Sequence, residues 1–408
     1  MKHYGDITKI NGAEVEPVWI VCGGSPCQDL SVAGKRAGLK HADKGDEETT
    51  RSGLFMDQIR IIKEMREHDK ASGRTDKFIR PRFMVWENVP GAFSSNNGED
   101  FRAVLEETAK VADKDAFIPG PPKGKWTPAG CIMGDGWSIA WRVHDAQFWG
   151  VPQRRKRIAL VADFGGESAP EILFEREGMS GHPEPCDKER ETVTADVTGS
   201  IGETGWVDGV KSCLDELKHE PNAFTLKIRG GIEVDSKGNK AGKGPLVQTE
   251  LSGTLGVSQD QTLITSMGFN KGTSNQLATN DMFVTPNMSV VRRLTPMECE
   301  RLQGFPDGWT DIGDWVDSKG KKHKGDSDSP RYKALGNSIA LPFWKWMAKR
   351  MVNVLKADGV EDLTMASLFD GIGGFPLSYS EASCKPVWAS EIEEFPIAVT
   401  KLRFPEKE

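Results

Sequence analysis

Residues 366–391 restrict the fold more than any other stretch of this chain. An apolar run, Ala366–Phe369, leads into Asp370-Gly371-Ile372-Gly373-Gly374, and a second run, Pro386–Ser390, ends in Glu391. Short apolar runs bounded by turn residues read as buried strands. The segment is therefore predicted as strand, glycine loop, helix, strand and acid. Strands joined by a helical crossover pair in parallel, and parallel sheets carry helices on their faces. This commits the chain to an α/β sheet. Glycines in the loop let a ligand approach the backbone closely. Glu391 follows Gly371 by 20 positions, near the spacing at which a carboxylate reaches the ribose hydroxyls of a nucleoside. The loop is GxGG and not the dinucleotide GxGxxG. Such a unit usually opens a nucleotide-binding sheet, whereas here it comes last.

The earlier part of the chain has the same texture. Val18–Val21 reads as a buried strand running into the turn Gly23-Gly24-Ser25-Pro26, and Leu54–Met65 has helical spacing. Phe83–Trp86 is a strand ending in a polar turn, Glu87-Asn88, and Ser138–Val143 and Ile158–Ala162 are two more. From Gly165 to about Met288 the chain is rich in Gly, Thr, Ser and charge, with short β-like pieces at Ala223–Ile228 and Thr262–Thr265. Order returns at Leu294: Thr295 as N-cap, Pro296 at the first position and Glu298 three residues after the cap predict a helix to about Gln303. A second helix is predicted from about Ile339 to Leu355. The division that follows is 1–165, a smaller strand- and loop-rich domain at 166–330, and 331–408.

Composition excludes several classes. Hydrophobic residues make up 37% and charged residues 28%, as in ordinary soluble proteins. No apolar run is long enough to span a bilayer, and MKHYGDITKI lacks the apolar core of a signal peptide, so a cytoplasmic location and no membrane partner are expected. The seven cysteines are scattered without a CxxC pair, which suggests neither a zinc site nor a disulfide framework. No metal is expected. A net charge of −7 does not by itself suggest nucleic acid, but binding needs only a local basic face. Arg154, Arg155, Lys156 and Arg157 offer one. Lys319, Lys321, Lys322 and Lys324 read more simply as a solvated run.

Three further pieces carry chemistry. Pro26-Cys27-Gln28 follows a strand, where open α/β sheets place their sites; an isolated cysteine is more often core, but a glycine turn at a sheet edge is poor core. Glu87-Asn88-Val89 follows another strand, and its carboxylate suits proton donation, or equally a surface acid. In Gln153-Arg154-Arg155-Lys156-Arg157, strand alternation puts Gln153, Arg155 and Arg157 on one side, suited to anions or carbonyls or to a solvated strand entry.

Together and in relative order these pieces resemble the cytosine-C5 DNA methyltransferase family. GGSPCQDLSVAGKR is similar to its catalytic-cysteine motif, WENVPG to its Glu-Asn-Val motif and VPQRRKR to its Gln-x-Arg-x-Arg motif. RRLTPMECERLQGFPDGW and RYKALGNSIA resemble two late motifs, SLFDGIGGF the first, WASEIEEFPIAVTKLRFP the second and GDITKIN the third. The resemblance covers most of the chain outside roughly 166–290. It implies a Rossmann-like S-adenosylmethionine-dependent methyltransferase sheet with a target-recognition domain. By the resemblance, Cys27 attacks C6 of cytosine, Glu87 shares a proton at N3, and Arg155 and Arg157 hold that site and the base. S-adenosylmethionine would meet Phe369, Asp370, Gly371, Ile372, Gly373 and Gly374 at its methionine end. Glu391 would bind the ribose and Asp6 the adenine amine, Asn337 and Ser338 would close the pocket, and Ile392, Ile7 and Pro26 would also contact the cofactor. Double-stranded DNA would meet Gln28, Ser31, Lys35, Arg36 and Gln153, with Lys227, Arg229 and Lys243 as candidates in the recognition region. Segment 28–53 resembles the family's mobile loop, with an insertion at His41–Thr50. A monomer is expected, acting at the nucleoid of a bacterial or phage-infected cell, in a restriction–modification or phage-protection setting.

The motif order departs from the family. The first motif lies at the C-terminus, and Leu402–Glu406 would run naturally into Lys2–Asp6, with Val352–Leu363 as a new linker. This is the order of a circular permutation, which surface termini tolerate. A catalytically dead homologue is disfavoured by intact Cys27, Glu87 and Arg157, a tRNA-methylating member by the long middle segment, and a dinucleotide oxidoreductase by GxGG beside Pro-Cys-Gln.

Overall fold

A computed structural model of the chain describes residues 1–25, 53–121, 124–174 and 289–406, and between 223 and 266 short strand pieces with Ser252 and Leu255. In chain order its strands are β1 (Lys2–His3), β2 (Ile20–Gly23), β3 (Phe83–Asn88), β4 (Ala129–Gly134), β5 (Trp137–Asp145) and β6 (Lys156–Asp163). The middle region holds β7 (Ala223–Lys227), β8 (Glu233–Val234), β9 (Lys240–Ala241), β10 (Leu246–Thr249), β11 (Gln261–Ser266) and β12 (Ser289–Arg293). A small hairpin, β13 (Trp315–Val316) and β14 (Lys322–His323), precedes β15 (Thr364–Leu368) and β16 (Lys385–Ser390).

The principal sheet has eight strands in the order β1-β16-β15-β2-β3-β6-β5-β4. The first five pair in parallel and the last three antiparallel. Every residue of β2 and β15 is buried, as expected of central strands covered on both faces. Their alternate residues feed two cores. Ile20, Cys22 and Met365 join the cluster with Trp344, Met347 and Met351 of the helix Leu341–Ala357. Val21, Ala366 and Leu368 join the cluster with Ile59, Ile62 and Met65 of the helix Leu54–Ala71. β4 alternates between exposed and half-buried residues, as an edge strand should.

Local chemistry explains the helix Pro296–Gln303. Thr295 Oγ1 accepts from the Glu298 N–H at 3.3 Å, and Glu298 Oε2 accepts from the Thr295 N–H at 2.8 Å, a complete capping box. Arg292, 4% exposed on its side chain, donates to Glu298 at 2.7 Å and so fastens the end of β12 to this helix. Leu294, Cys299, Leu302, Phe305 and Trp309 pack in the same core as Trp344. The core of the principal sheet thus reaches back before residue 330. The middle region forms a four-stranded antiparallel sheet, order β10-β7-β11-β12, and a parallel bridge joins Gln153 to Ser252.

The structure differs from the predicted elements at β3. The strand continues through Glu87 and Asn88, because β6 pairs with them opposite Ala159 and Ile158. These residues are ladder, not turn. At the other edge of β3, Arg82 is 4% exposed and donates to Asp163 at 2.9 and 3.1 Å and to Asp358 at 2.5 Å. Asp358 follows the helix Leu341–Ala357, so this node ties the connection before β15 to the floor of the sheet. The Met1 amine donates to the Phe404 carbonyl at 3.0 Å. No described helix is long and apolar enough to cross a membrane.

Candidate active site

The site is built at the carboxyl edge of the parallel strands. Leu368 of β15 stands beside Gly23 of β2, and Gly23 beside Trp86 of β3. Three chain segments therefore emerge together: the Phe369–Gly374 loop, the Gly24-Ser25 turn and the Glu87-Asn88 strand end. From β15 the sheet grows toward β16, and from β2 it grows the other way toward β3. Such a reversal opens a crevice at the strand ends, where α/β sheets bind ligands.

The glycine loop needs its glycines. Gly371 and Gly373 have φ of +57° and +82°, in the left-handed region that favours glycine. A Cβ on Gly373 would come within 2.9 Å of the Phe404 ring, whereas one on Gly371 would meet nothing within 4 Å among the described residues. Gly371 thus faces no described side chain, as a backbone cradle for a ligand requires. The Gly371 N–H donates to Glu391 Oε2 at 2.8 Å, and the Ile392 and Glu393 N–H groups donate to Oε1 at 2.7 and 2.9 Å. Glu391 thus ties the loop after β15 to the end of β16.

Asp370 is 5% exposed, and among the described residues neither carboxylate oxygen has a hydrogen-bond partner of good geometry. Burial pushes its pKa up to about 8; the Glu391 charge adds to this, and the nearby Ser367 hydroxyl opposes it. Asp6 caps the short helical turn Ile7–Lys9, its Oδ1 accepting from the Thr8 N–H at 3.0 Å. Ser390 Oγ donates to the Gly5 carbonyl at 2.6 Å, which brings Asp6 alongside Glu391. Ile392 is 70% exposed, while Ile7 is buried in the core. Asn337 ends the helix Ser329–Asn337, and Ser338, buried, follows it.

Glu87 and Arg157 meet at 2.7 Å, Nε to Oε1, with side-chain exposures of 12% and 15%. The register explains this pair. Glu87 stands opposite Ala159, and Arg157, two residues away on the same face, is its diagonal neighbour. Gly24 closes in from β2: a Cβ there would stand 3.0 Å from Glu87 Oε2. Arg155 goes elsewhere, donating to the carbonyls of Gly336 and Ser338. The ladder of β6 begins at Lys156, so strand alternation does not reach back to Arg155. Gln153 is fully buried, and among the described residues neither its side-chain amide oxygen nor its nitrogen has a hydrogen-bond partner.

Lys227 lies in β7, where only the backbone path is described. Pro26, Cys27, Gln28, Ser31, Lys35, Arg36, Arg229 and Lys243 lie outside the described residues. Sequence reasoning did not single out Ser25, Trp86 or Gln58. Trp86 Nε1 donates to Ser25 Oγ at 3.0 Å, and Gln58 Oε1 would be 2.4 Å from a Cβ on Gly23. The signal for Gln58 was a glutamine at an otherwise apolar helix position; Trp86 and Ser25 carried none.

This chain is similar to several known proteins. The "DNA N-6-adenine-methyltransferase" of Escherichia phage P1 is 30% identical over 86% of this chain, which spans 55% of that relative's length. Type II methyltransferase M.HpaII of Haemophilus parainfluenzae is 26% identical over 86% of this chain and 77% of its own. The crystal structure of S. pombe Dnmt2 methyltransferase matches 87% of this chain and 84% of its own at 14% identity and a TM-score of 0.42. The family model described as C-5 cytosine-specific DNA methylase matches residues 1–112 and 133–353. On that match, the chain belongs to the C-5 cytosine-specific DNA methylase family.

Proposed function

We propose that this chain transfers a methyl group from S-adenosylmethionine to C5 of a cytosine in duplex DNA, through a covalent bond between Cys27 and C6. The observation that carries the reading is the Glu87–Arg157 pair, 2.7 Å apart, beside the turn that leads to Cys27. A C5 carbon is a poor nucleophile until C6 is attacked, and attack at C6 places negative charge on the ring that needs an acid at N3. A carboxyl group held by an arginine at the strand end next to the thiol's turn meets that need.

In this mechanism the Cys27 thiolate forms a bond to C6, and Glu87 shares a proton at N3. Arg157 fixes the carboxyl group and balances its charge. After C5 is methylated, loss of the C5 proton expels the Cys27 sulfur and restores the ring. The target base is inaccessible in the duplex and is flipped out at a cost of a few kcal/mol. Arg155 acts at one remove, bracing the 336–338 loop.

Among the described residues, those at the glycine loop fit the cofactor: no neighbour over Gly371, two oxygens of buried Asp370 without well-formed hydrogen bonds, and exposed Ile392. S-adenosylmethionine supplies an electrophilic methyl group when bound. The loop Phe369–Gly374 would hold its methionine end, Glu391 its ribose and Asp6 its adenine, with exposed Ile392 beside Glu391. The region 166–290 would read the DNA sequence. We also infer that the family's motifs are circularly permuted in this chain; the Met1–Phe404 contact supports this.

The test is transfer of label from tritiated S-adenosylmethionine to duplex DNA, with a Cys27→Ala control and nucleoside digestion followed by mass spectrometry. The expected product is 5-methylcytosine, lost with Cys27→Ala. The phage P1 relative bears an adenine-directed name; N6-methyladenine as the product, or transfer surviving Cys27→Ala, overturns the reading.

A further inference from the structure

We propose that Trp86 is a positioning residue for the reaction: its indole N–H anchors Ser25, two residues before Cys27 in the sequence, to the strand that carries Glu87. The inference rests on the reading of the site given above. Trp86 and Glu87 are consecutive residues of β3, so their side chains leave opposite faces of the strand. On one face Trp86 Nε1 donates to Ser25 Oγ at 3.0 Å, with Trp86 fully buried and Ser25 2% exposed. On the other, the Gly24 backbone rests against the Glu87 carboxylate, where a Cβ would stand 3.0 Å from Oε2. The turn straddles the end of the strand that carries the acid.

The anchor is itself held firmly. The Trp86 ring lies edge-on to Phe55 at 5.7 Å and tilted to Phe101 at 6.2 Å. Gln58 supports the turn from the next helix, with Nε2 donating to the Val85 carbonyl at 3.3 Å and Oε1 against Gly23. A buried indole N–H requires an acceptor, and a hydrogen bond fixes direction where an apolar contact fixes only distance. Ser25 precedes Cys27 by two residues, a span of about 7 Å at most. A change at Ser25 therefore acts within two residues of Cys27, and misplacement of about 1 Å at a reacting atom is costly to rate.

Trp86→Phe removes the N–H and keeps the ring; Ser25→Ala removes the acceptor; Ser25→Thr keeps a hydroxyl. Methyl transfer to duplex DNA is measured for these variants beside the wild type and Cys27→Ala. Alkylation of Cys27 by iodoacetamide is followed against pH by peptide mass spectrometry. Trp86→Phe and Ser25→Ala are each expected to lower kcat about tenfold with KM for DNA within about twofold, the loss expected for one buried hydrogen bond. The double variant should fall no further, Ser25→Thr should retain most of the rate, and the pH midpoint of alkylation should move in both single variants. Unchanged kcat, additive losses, or an unmoved alkylation profile with only a lower melting temperature overturn the proposal. If the wild type makes no 5-methylcytosine, or Cys27→Ala still makes it, the reading of the site fails first and the positioning role falls with it.

Discussion

Arg157 Nε lies 2.7 Å from Glu87 Oε1, diagonally across the β3–β6 ladder, with both side chains mostly buried. Removing the arginine strands a carboxylate that water reaches poorly. Arg157→Met is expected to slow methyl transfer about 100-fold, as loss of a preorganised charge partner does. Stability should fall by about 2 kcal/mol. Single-turnover transfer and urea unfolding of the same preparation separate the two effects.

Arg82 predicts a larger loss of stability with a different origin. It bridges Asp163, whose side chain is 0% exposed, and Asp358. Arg82→Met leaves buried Asp163 with its Gly165 and Ser168 donors but without its two-point cation partner, a change that typically costs about 3–5 kcal/mol. Adding Asp163→Asn should recover part of this in chemical denaturation, because the neutral amide no longer needs the cation.

Asp370 makes stability depend on pH. Its carboxyl is raised from 3.8 to about 8, by burial first and by Glu391 second, against the Ser367 hydroxyl. Cys22 faces it from β2, its own thiol raised by burial and in small part by Asp370. The folded chain therefore holds a proton that the unfolded chain releases between these values. The unfolded state binds fewer protons there, so this contribution is full below pH 4 and is lost as pH rises through 8. Asp370→Asn is expected to raise the melting temperature at pH 8 relative to the wild type, with the gain shrinking toward pH 5. Equal shifts at both values would contradict the burial of this group.

Gly371 and Gly373 separate binding from folding. Gly373→Ala forces a methyl group toward Phe404 and Thr400 at 2.9 and 3.1 Å in a left-handed backbone, and should cost about 1–3 kcal/mol of stability. Gly371→Ala meets no neighbour. Its melting temperature should change less, while the Kd for S-adenosylmethionine rises at least about tenfold, as measured by calorimetry.

The proposed permutation has its own test. Joining the chain's ends and reopening it between Glu361 and Asp362, both exposed, keeps Asp358 attached to Arg82. The rearranged chain should bind S-adenosylmethionine with an affinity within about twofold of the original. Failure to fold or bind would remove the support for permutation.

What was legible in the sequence was chemistry settled by neighbours along the chain. Thr295, Pro296 and Glu298 announce their helix because a capping box closes within four residues. The apolar run of β15 stands out because both its faces are covered, and that of β16 through its three buried residues Trp388–Ser390. Less was legible where a partner distant in sequence decides. β1 has two residues and exists through Trp388 and Ala389. The helix Glu394–Arg403 buries only Val399 and Thr400 and carries little apolar signal, whereas the face Phe101, Val104, Leu105 and Ala109 of the helix Glu99–Ala109 was legible and passed over. Glu87 read as turn because β6, which makes it strand, lies some seventy residues on. The differing partners of Arg155 and Arg157 follow from where β6 begins, which no periodicity reveals.

β1 and β2 adjoin in sequence, yet β16 and β15 lie between them in the sheet. A growing chain that has completed β6 already holds β2, β3 and β6, but the flank of β2 meant for β15 has no occupant. At about 5–20 residues per second, synthesis from Asp163 to Thr364 takes roughly 10–40 s. For that interval an all-apolar strand presents an open edge to every other nascent chain nearby. Yield in the cell should therefore depend on translation speed and on holding chaperones more steeply than the finished protein's melting temperature would suggest.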